Sequence, residues 1–265
     1  MNTQTRANFP DIFSILSQTQ RLRVSDGEVK PILDGCSNTA KLLVLIWSQL
    51  GDFDNLEYAW WLQKEKEKIE ARGITIRAIG IGNCNSGIKF CEYTGFPQEW
   101  LFVDANAEIH GSLGLYRGLT IQFPILSTSQ KAWLNLMLMC AGIGSPGTLK
   151  EVFRGYKGDY NAPQLIADEE VVRDIPLPPI KGSFFKAVGG KGFQRPFELA
   201  TLRLRNMTEV LSNWNIYIPN SSYLTQRGGT FLFDSQGKLI YEHRDRGILG
   251  FAENMSNPLS FLYKY

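Results

Sequence analysis

The chain has 265 residues, enough for one large domain or two small ones, and 43% hydrophobic with 20% charged residues supports a buried core. A formal net charge of +2 gives no electrostatic case for nucleic acid. Two histidines (His110 and His243) and four cysteines (Cys36, Cys84, Cys91 and Cys140), none in C-x-x-C spacing, exclude a histidine-rich metal site, a zinc ribbon and an ordinary dithiol pair, so no metal and no cofactor is expected.

Met1 to Pro10 has no basic region leading into an apolar stretch, so no secretory signal is read there, and a cytoplasmic protein with reduced thiols is expected. Asp11 to Leu16 predicts a short helix. Arg21 to Val24, the turn Ser25-Asp26-Gly27 and Glu28 to Ile32 predict a hairpin. Lys41 to Trp47 is a continuous apolar run of the kind a strand carries when both faces are covered. Its Leu42 to Trp47 portion is the longest such run, far below the roughly 18 residues of a membrane helix, so no membrane span is expected.

Asn55 to Arg72 predicts a helix with Tyr58, Trp61, Leu62 and Ile69 on one stripe, stopped by Gly73. Ile74 to Ile81 is a second buried strand, Ser86 to Thr94 a helix, Trp100 to Val103 a third strand, and Asp104 to Leu115 a short helical segment. In the middle of the chain, helices are predicted over Ser129 to Ala141, Thr148 to Arg154 and Pro196 to Ser212, with loop signals at Pro176 to Pro179 and Gly189 to Gly192. Gly229 to Asp234, the turn Ser235-Gln236-Gly237 and Lys238 to His243 form a hairpin. Ala252 to Leu262 is predicted as a closing helix.

The division that follows is a single domain over 1–265. It comprises an N-terminal helix and hairpin (1–38), a βαβαβα half (39–115), a helical insertion (116–222), and a C-terminal hairpin and helix (223–265). Strand–helix alternation means parallel strands with right-handed crossovers. Parallel strands followed by a hairpin and a closing helix is the thioredoxin plan: an α/β, thioredoxin-like fold with a mixed sheet flanked by helices and a large helical insertion.

Glu92-Tyr93-Thr94-Gly95-Phe96-Pro97, Val103-Asp104, Gly111 to Leu115, Gly192 to Pro196 and Gln226 to Asp234 together resemble the AhpC/TSA-type peroxiredoxin-like proteins, over about Ala40 to Leu262. The resemblance implies the peroxiredoxin branch of the thioredoxin fold. It also implies a reactive cysteine, often in C-x-x-C, where the first strand meets the first helix. The positive end of a helix stabilises a thiolate there. The matching stretch here is Gly51 to Asn55, with Asp52 and Asn55 at the two cysteine positions. No cysteine lies between Cys36 and Cys84, and the Pro/Thr/Cys loop of peroxiredoxins is absent. The site is degenerate on this reading.

Asp52, Asp54 and Asn55 are good helix caps, and a carboxylate there gains about 0.3–1 kcal/mol from the helix dipole. They read either as a structural cap or as an acidic loop that binds a partner or cation. By resemblance, Arg227 stands where related sequences place a peroxide-binding arginine; the competing reading pairs it with Asp52 or Asp54 to hold the loop. Cys84 is the leading candidate for a displaced redox thiol, with Cys91 seven residues on and about two helical turns away. Cys36 and Cys140 read as structural. Neither histidine accompanies a nucleophile motif, and His243 reads as exposed. Gly80-Ile81-Gly82 and Gly189 to Gly192 lack the pattern of a nucleotide loop.

The helix carrying Ala132 to Cys140 is apolar on nearly all sides, which predicts a core position or a protein interface; with only Lys131 at its edge it does not read as a membrane-surface helix. The expected function is therefore a non-catalytic binding, assembly or regulatory protein with a protein partner of unknown identity. The resemblance suggests a photosynthetic or other large complex as client, with peripheral association to a membrane complex. The alternative is an atypical thiol oxidoreductase or peroxidase using Cys84. A third reading is a different enzyme acting on a small ligand through Arg227 with Asp52 and Asp54.

Overall fold

The computed structural model describes residues 11–37, 39–159, 162–173, 178–189 and 196–265. The absent secretory signal read at Met1 to Pro10, the loop signals at Pro176 and Gly190 to Gly192, and the motif Gly192 to Arg195 lie outside these residues.

Helix α1 (Ile12–Gln18) leads into the hairpin of β1 (Gln20–Arg23) and β2 (Val29–Pro31). The apolar run forms β3 (Lys41–Gln49), followed by α2 (Phe53–Lys64), α3 (Lys66–Ala71), β4 (Ile74–Ile81), α4 (Cys84–Thr94), β5 (Leu101–Val103) and α5 (Glu108–Ser112). The predicted helix over Asn55 to Arg72 is thus two helices, broken at Glu65 (φ −99°, ψ 8°). The middle section holds α6 (Thr128–Cys140), α7 (Thr148–Lys157), a two-stranded sheet of β6 (Val171–Val172) and β7 (Ile180–Lys181), α8 (Gly182–Gly189), α9 (Pro196–Ser212) and α10 (Trp214–Tyr217). The hairpin β8 (Gly229–Asp234) and β9 (Leu239–Arg244) follows.

The main sheet has the order β2-β1-β5-β4-β3-β8-β9. β3 pairs parallel with β4 (Leu43 opposite Ile76) and antiparallel with β8 (Leu43 opposite Leu232). The run β9-β8-β3-β4 is the thioredoxin-like arrangement. The N-terminal hairpin lengthens the sheet by laying β1 antiparallel on β5, Leu22 opposite Val103.

Side chains alternate across β3, and both faces are covered. Leu43, Leu45 and Trp47 enter one core with Leu56, Trp61, Phe90 and Phe96. Leu42, Val44 and Ile46 enter the other with Leu16, Ile109, Phe231 and Phe233. Val210, Tyr217 and Ile218 join the first core, so the end of the middle section packs on the same sheet face as α2.

Two expectations are corrected. The closing helix over Ala252 to Leu262 is a series of turns ending in a 3₁₀ turn, Ser260–Tyr263. Pro258 has no N–H to donate, and a proline disfavours the helical conformation at the residue before it, while the Asn254 side chain accepts from the Ser256 N–H at 3.1 Å. Helix α6 is not a core helix: it buries Asn135 and Met139 and exposes Trp133 and Met137. Asn135 turns inward because its amide satisfies the backbone of Ile121, accepting from its N–H at 3.2 Å and donating to its carbonyl at 3.1 Å. Among the described residues no helix is long and apolar enough to cross a membrane.

Candidate functional site

The chain leaves β3 at Gln49, turns through Leu50-Gly51, and enters α2 with Asp52 as its cap. Asp52 is extended (φ −72°, ψ 130°), and its Oδ1 accepts from the Asp54 N–H at 3.1 Å. A side chain at Gly51 would meet Ile218 and Tyr217 at 2.8 Å, so glycine lets the end of the middle section approach this turn.

Arg227, two residues before β8, reaches the same point and is completely buried. Its backbone N–H donates to the Tyr116 carbonyl at 2.8 Å, anchoring it. Its Nη2 donates to Asp52 Oδ2 and, at 3.1 Å, to Ser48 Oγ. Ser48 Oγ donates to Asp52 Oδ2 at 2.8 Å and accepts from Asn55 Nδ2 at 3.0 Å. Asn55 also donates to the Gln49 carbonyl at 2.6 Å. Asp54 Oδ2 stands 3.9 Å from Arg227 Nη1, and Asp245 Oδ2 stands 3.4 Å from its Nε.

One buried guanidinium therefore faces three carboxyl groups, those of Asp52, Asp54 and Asp245. Burial opposes the charge of Arg227, but Asp52, Asp245 and Asp54 outweigh it and hold it protonated. Burial first, and then the neighbouring Asp52 charge, pushes the Asp54 carboxyl well above the ordinary carboxylate range; Asp245 is raised as well, chiefly by burial. The loop after β9 closes the cluster. Asp54 Oδ2 accepts from the Leu249 N–H at 2.8 Å, and Leu249 adopts a left-handed conformation (φ 58°).

The structure thus brings Asp52, Asp54, Asn55 and Arg227 together. Cys84 is elsewhere, in the first turn of α4 behind the capping box of Asn83 and Ser86, half-buried. Among the described residues it shares no hydrogen bond or ion pair with those four. Cys91 lies on the same helix but is buried, and burial pushes its thiol up to about 12, so it stays protonated. Cys36 is half-buried. His110 is wholly buried, bonded through Nε2 to the Trp47 carbonyl at 2.9 Å, and burial lowers its pKa to about 4, so the ring is neutral. His243 is half-buried rather than exposed, with Nε2 bonded to the Gly250 carbonyl at 2.8 Å. Among the described residues no group of three His, Cys, Asp or Glu side chains is placed to hold a metal ion.

Sequence reasoning did not single out Ser48 or Asp245. Ser48 reads as the polar end of a strand, and Asp245, between Arg244 and Arg246, reads as part of an exposed charged turn. Cys140, structural by its sequence context, lines a cavity of about 300 Å³ above Gln49, Gly51 and Asp52, walled by α6, α9 and α10. Trp133 and Trp214 stack across that wall with ring centroids 4.8 Å apart.

No curated protein matches this chain. A family model described as AhpC/TSA antioxidant enzyme matches residues 61–247, which include Cys84, Cys140 and Arg227 and begin beyond Asp52 to Asn55. With that match over more than half its length and a mixed sheet of thioredoxin-like order, the chain belongs to the AhpC/TSA family.

Proposed function

We propose that this chain is a non-catalytic binding member of the AhpC/TSA family, in which an ion-paired carboxylate occupies the head of α2 and the helical insertion takes a protein partner. The observation that carries the reading is the buried Arg227, held by Asp52 and Ser48 with Asp54 and Asp245 behind. A carboxylate oxygen is a far weaker nucleophile than a thiolate sulfur and cannot be oxidised by a peroxide as a thiolate is. A guanidinium enclosed by three carboxylates has little field left for a peroxide.

The outer face of the insertion supports a binding role. Helix α7 buries Thr148 and Glu151 and exposes Leu149 (49%), Phe153 (60%) and Tyr156 (77%). Helix α6 does the same with Asn135 inside and Met137 (59% exposed) outside. A helix that only faces solvent has the opposite polarity, and contiguous exposed apolar surface marks interaction sites.

The test has two parts. Peroxide consumption with a thioredoxin or glutathione system is expected at the thiol-reagent background. Capture of a stoichiometric partner from native extract is expected for the parent and not for Phe153→Lys. Turnover above background, or recovery of the parent alone as a monomer, overturns the reading. The alternative, a thiol oxidoreductase using Cys84, is favoured by one observation: Cys84 is half-buried rather than fully enclosed, and it sits in the first turn of α4. Turnover abolished by Cys84→Ser would establish it.

A further inference from the structure

We propose that α7 is an interfacial helix whose outward face seats the chain on an anionic lipid surface. Leu149, Phe153 and Tyr156 enter the boundary between headgroups and acyl chains, and Lys150 and Lys157 meet lipid phosphates. This rests on the binding role proposed above only in giving the outer face of the insertion to binding. It adds a lipid contact beside which the protein partner is met.

The first observation is that α7 is amphipathic in the reverse sense for a helix that covers a core. Its polar side faces inward because the charges there are used. Glu151 is buried and pairs with Arg154 and, at 3.0 Å, with Arg203 of α9. Thr148, also buried, donates to the Ile248 carbonyl at 2.8 Å. These bonds fix the rotation of the helix. Leu149, Phe153 and Tyr156, spaced by four and then three residues, are thereby left as one stripe on the solvent side. Leu149 lies over Gly142, where a side chain would meet its Cγ at 2.9 Å, and the neighbouring Ile143 is exposed as well.

The second observation is the charge beside that stripe. At about 100° per residue, Lys150 and Lys157 fall on the same flank of it. Both are exposed, and neither has an ion-pair partner among the described residues. Between Glu108 and Asp159 the chain has five cations, Arg117, Lys131, Lys150, Arg154 and Lys157, and one acid, Glu151, which is buried and already paired. The cleft on the lysine side of α7 adds Arg246 and Glu253, one of each sign, and leaves the excess positive.

Together these features select lipid. Aromatic rings beside lysines match the headgroup level of a bilayer, with the tyrosine hydroxyl among the headgroups and the rings at the acyl edge. Lysine stems cover apolar surface while their ammonium groups reach phosphates. Among the described residues no helix is long and apolar enough to span a bilayer, so the contact lies in the interface.

The test floats the purified full chain with vesicles of phosphatidylcholine alone or with about one-third phosphatidylglycerol, at about 0.1 M salt. Binding is expected to the anionic vesicles only, and about 0.5 M salt should weaken it at least about tenfold. Lys150→Glu combined with Lys157→Glu should also weaken it at least about tenfold. Lys238→Glu combined with Lys264→Glu, the same charge change at the β8–β9 turn and the C-terminal end, should stay within about twofold. The emission that Tyr156→Trp adds to the parent spectrum should shift to the blue on anionic vesicles and be quenched by lipids brominated in the acyl chain. No vesicle binding, equal binding to both vesicle types, a Lys150→Glu/Lys157→Glu variant that floats like the parent, or added emission that vesicles leave unchanged would each overturn the proposal. So would a soluble acidic protein that holds the chain through Lys150 and Lys157 while vesicles do not. Vesicle binding and partner capture are separate measurements, so that either can fail while the other stands.

Discussion

Arg227 is useful only while its neighbours keep their charges balanced, and Asp54 is the neighbour that balances worst. Its folded pKa lies well above the ordinary 3.8, from burial and the Asp52 charge. A raised folded pKa gives stability that is complete below the unfolded value and lost as pH rises through the folded value. Asp54→Asn keeps an acceptor for the Leu249 N–H and removes the titration. This variant should melt higher than the parent at pH 8 and gain nothing at pH 4, as read from melting temperature against pH. Asp245, raised in the same direction, leaves part of the slope in place. His110 works with the opposite sign. Its pKa is depressed to about 4, so its contribution is complete above about 6.5 and disappears as pH falls through about 4. The His110 ring resonances should therefore stay in the neutral form down to about pH 5, and a ring that titrates near 6.5 would contradict its burial. Removing the central cation is harsher. Arg227→Met leaves Asp52, Asp54 and Asp245 facing one another, and a loss of about 3–5 kcal/mol in urea unfolding is expected. The helix start at Asp52, with Asp54 and Asn55 in its first turn, was legible in the sequence because a helix start is local, and Arg227 because the family resemblance supplied the arginine. Ser48 and Asp245 were not, because their importance comes from Arg227, a partner that neither has near it in the chain.

At the level of elements, strands read more directly than the helices of the insertion. Leu42 to Trp47 has only one way to be buried, and the sheet uses it. Helix α6 has two, because a helix apolar nearly all round does not say which side the protein covers. The deciding residue is Asn135, whose amide closes both backbone groups of Ile121. Asn135→Leu should cost about 2 kcal/mol in denaturant unfolding, by leaving a buried N–H and carbonyl unpaired. Met137→Lys, on the exposed side of the same helix, should stay within about 0.5 kcal/mol. Equal costs would mean that the outward face of α6 is covered in solution. The expected closing helix failed for a local reason that was present in the sequence. Pro258 sits in its middle, and three of the four residues before it (Asn254, Ser256 and Asn257) favour turns.

Across the whole molecule, the insertion is fastened to the sheet layer by charge as well as by apolar contact. Glu57 of α2, 2% exposed, meets Arg203 of α9 at 3.3 Å; Arg203 also meets Glu151 of α7 at 3.0 Å, and Arg154 pairs with Glu151 and with Asp159. Burial opposes the charge of Arg203, but Glu57 and Glu151 outweigh it and raise its pKa. Such a network is invisible in a sequence, because each member reads as one more charged residue on a helix. Its weak point is Glu57, which is 2% exposed and loses its cation when Arg203 is removed, whereas Glu151 keeps Arg154. Arg203→Met is the direct probe. It removes the cation shared by Glu57 and Glu151 and leaves the strands β3, β4 and β8 with their hydrogen bonds and both their cores. If the insertion is a separable layer, amide exchange in α7 and α9 should rise by an order of magnitude or more while β3 and β4 keep their protection. If protection falls equally in all of them, the layers open as one unit, and the buried charges hold the sheet itself rather than only the insertion packed against it.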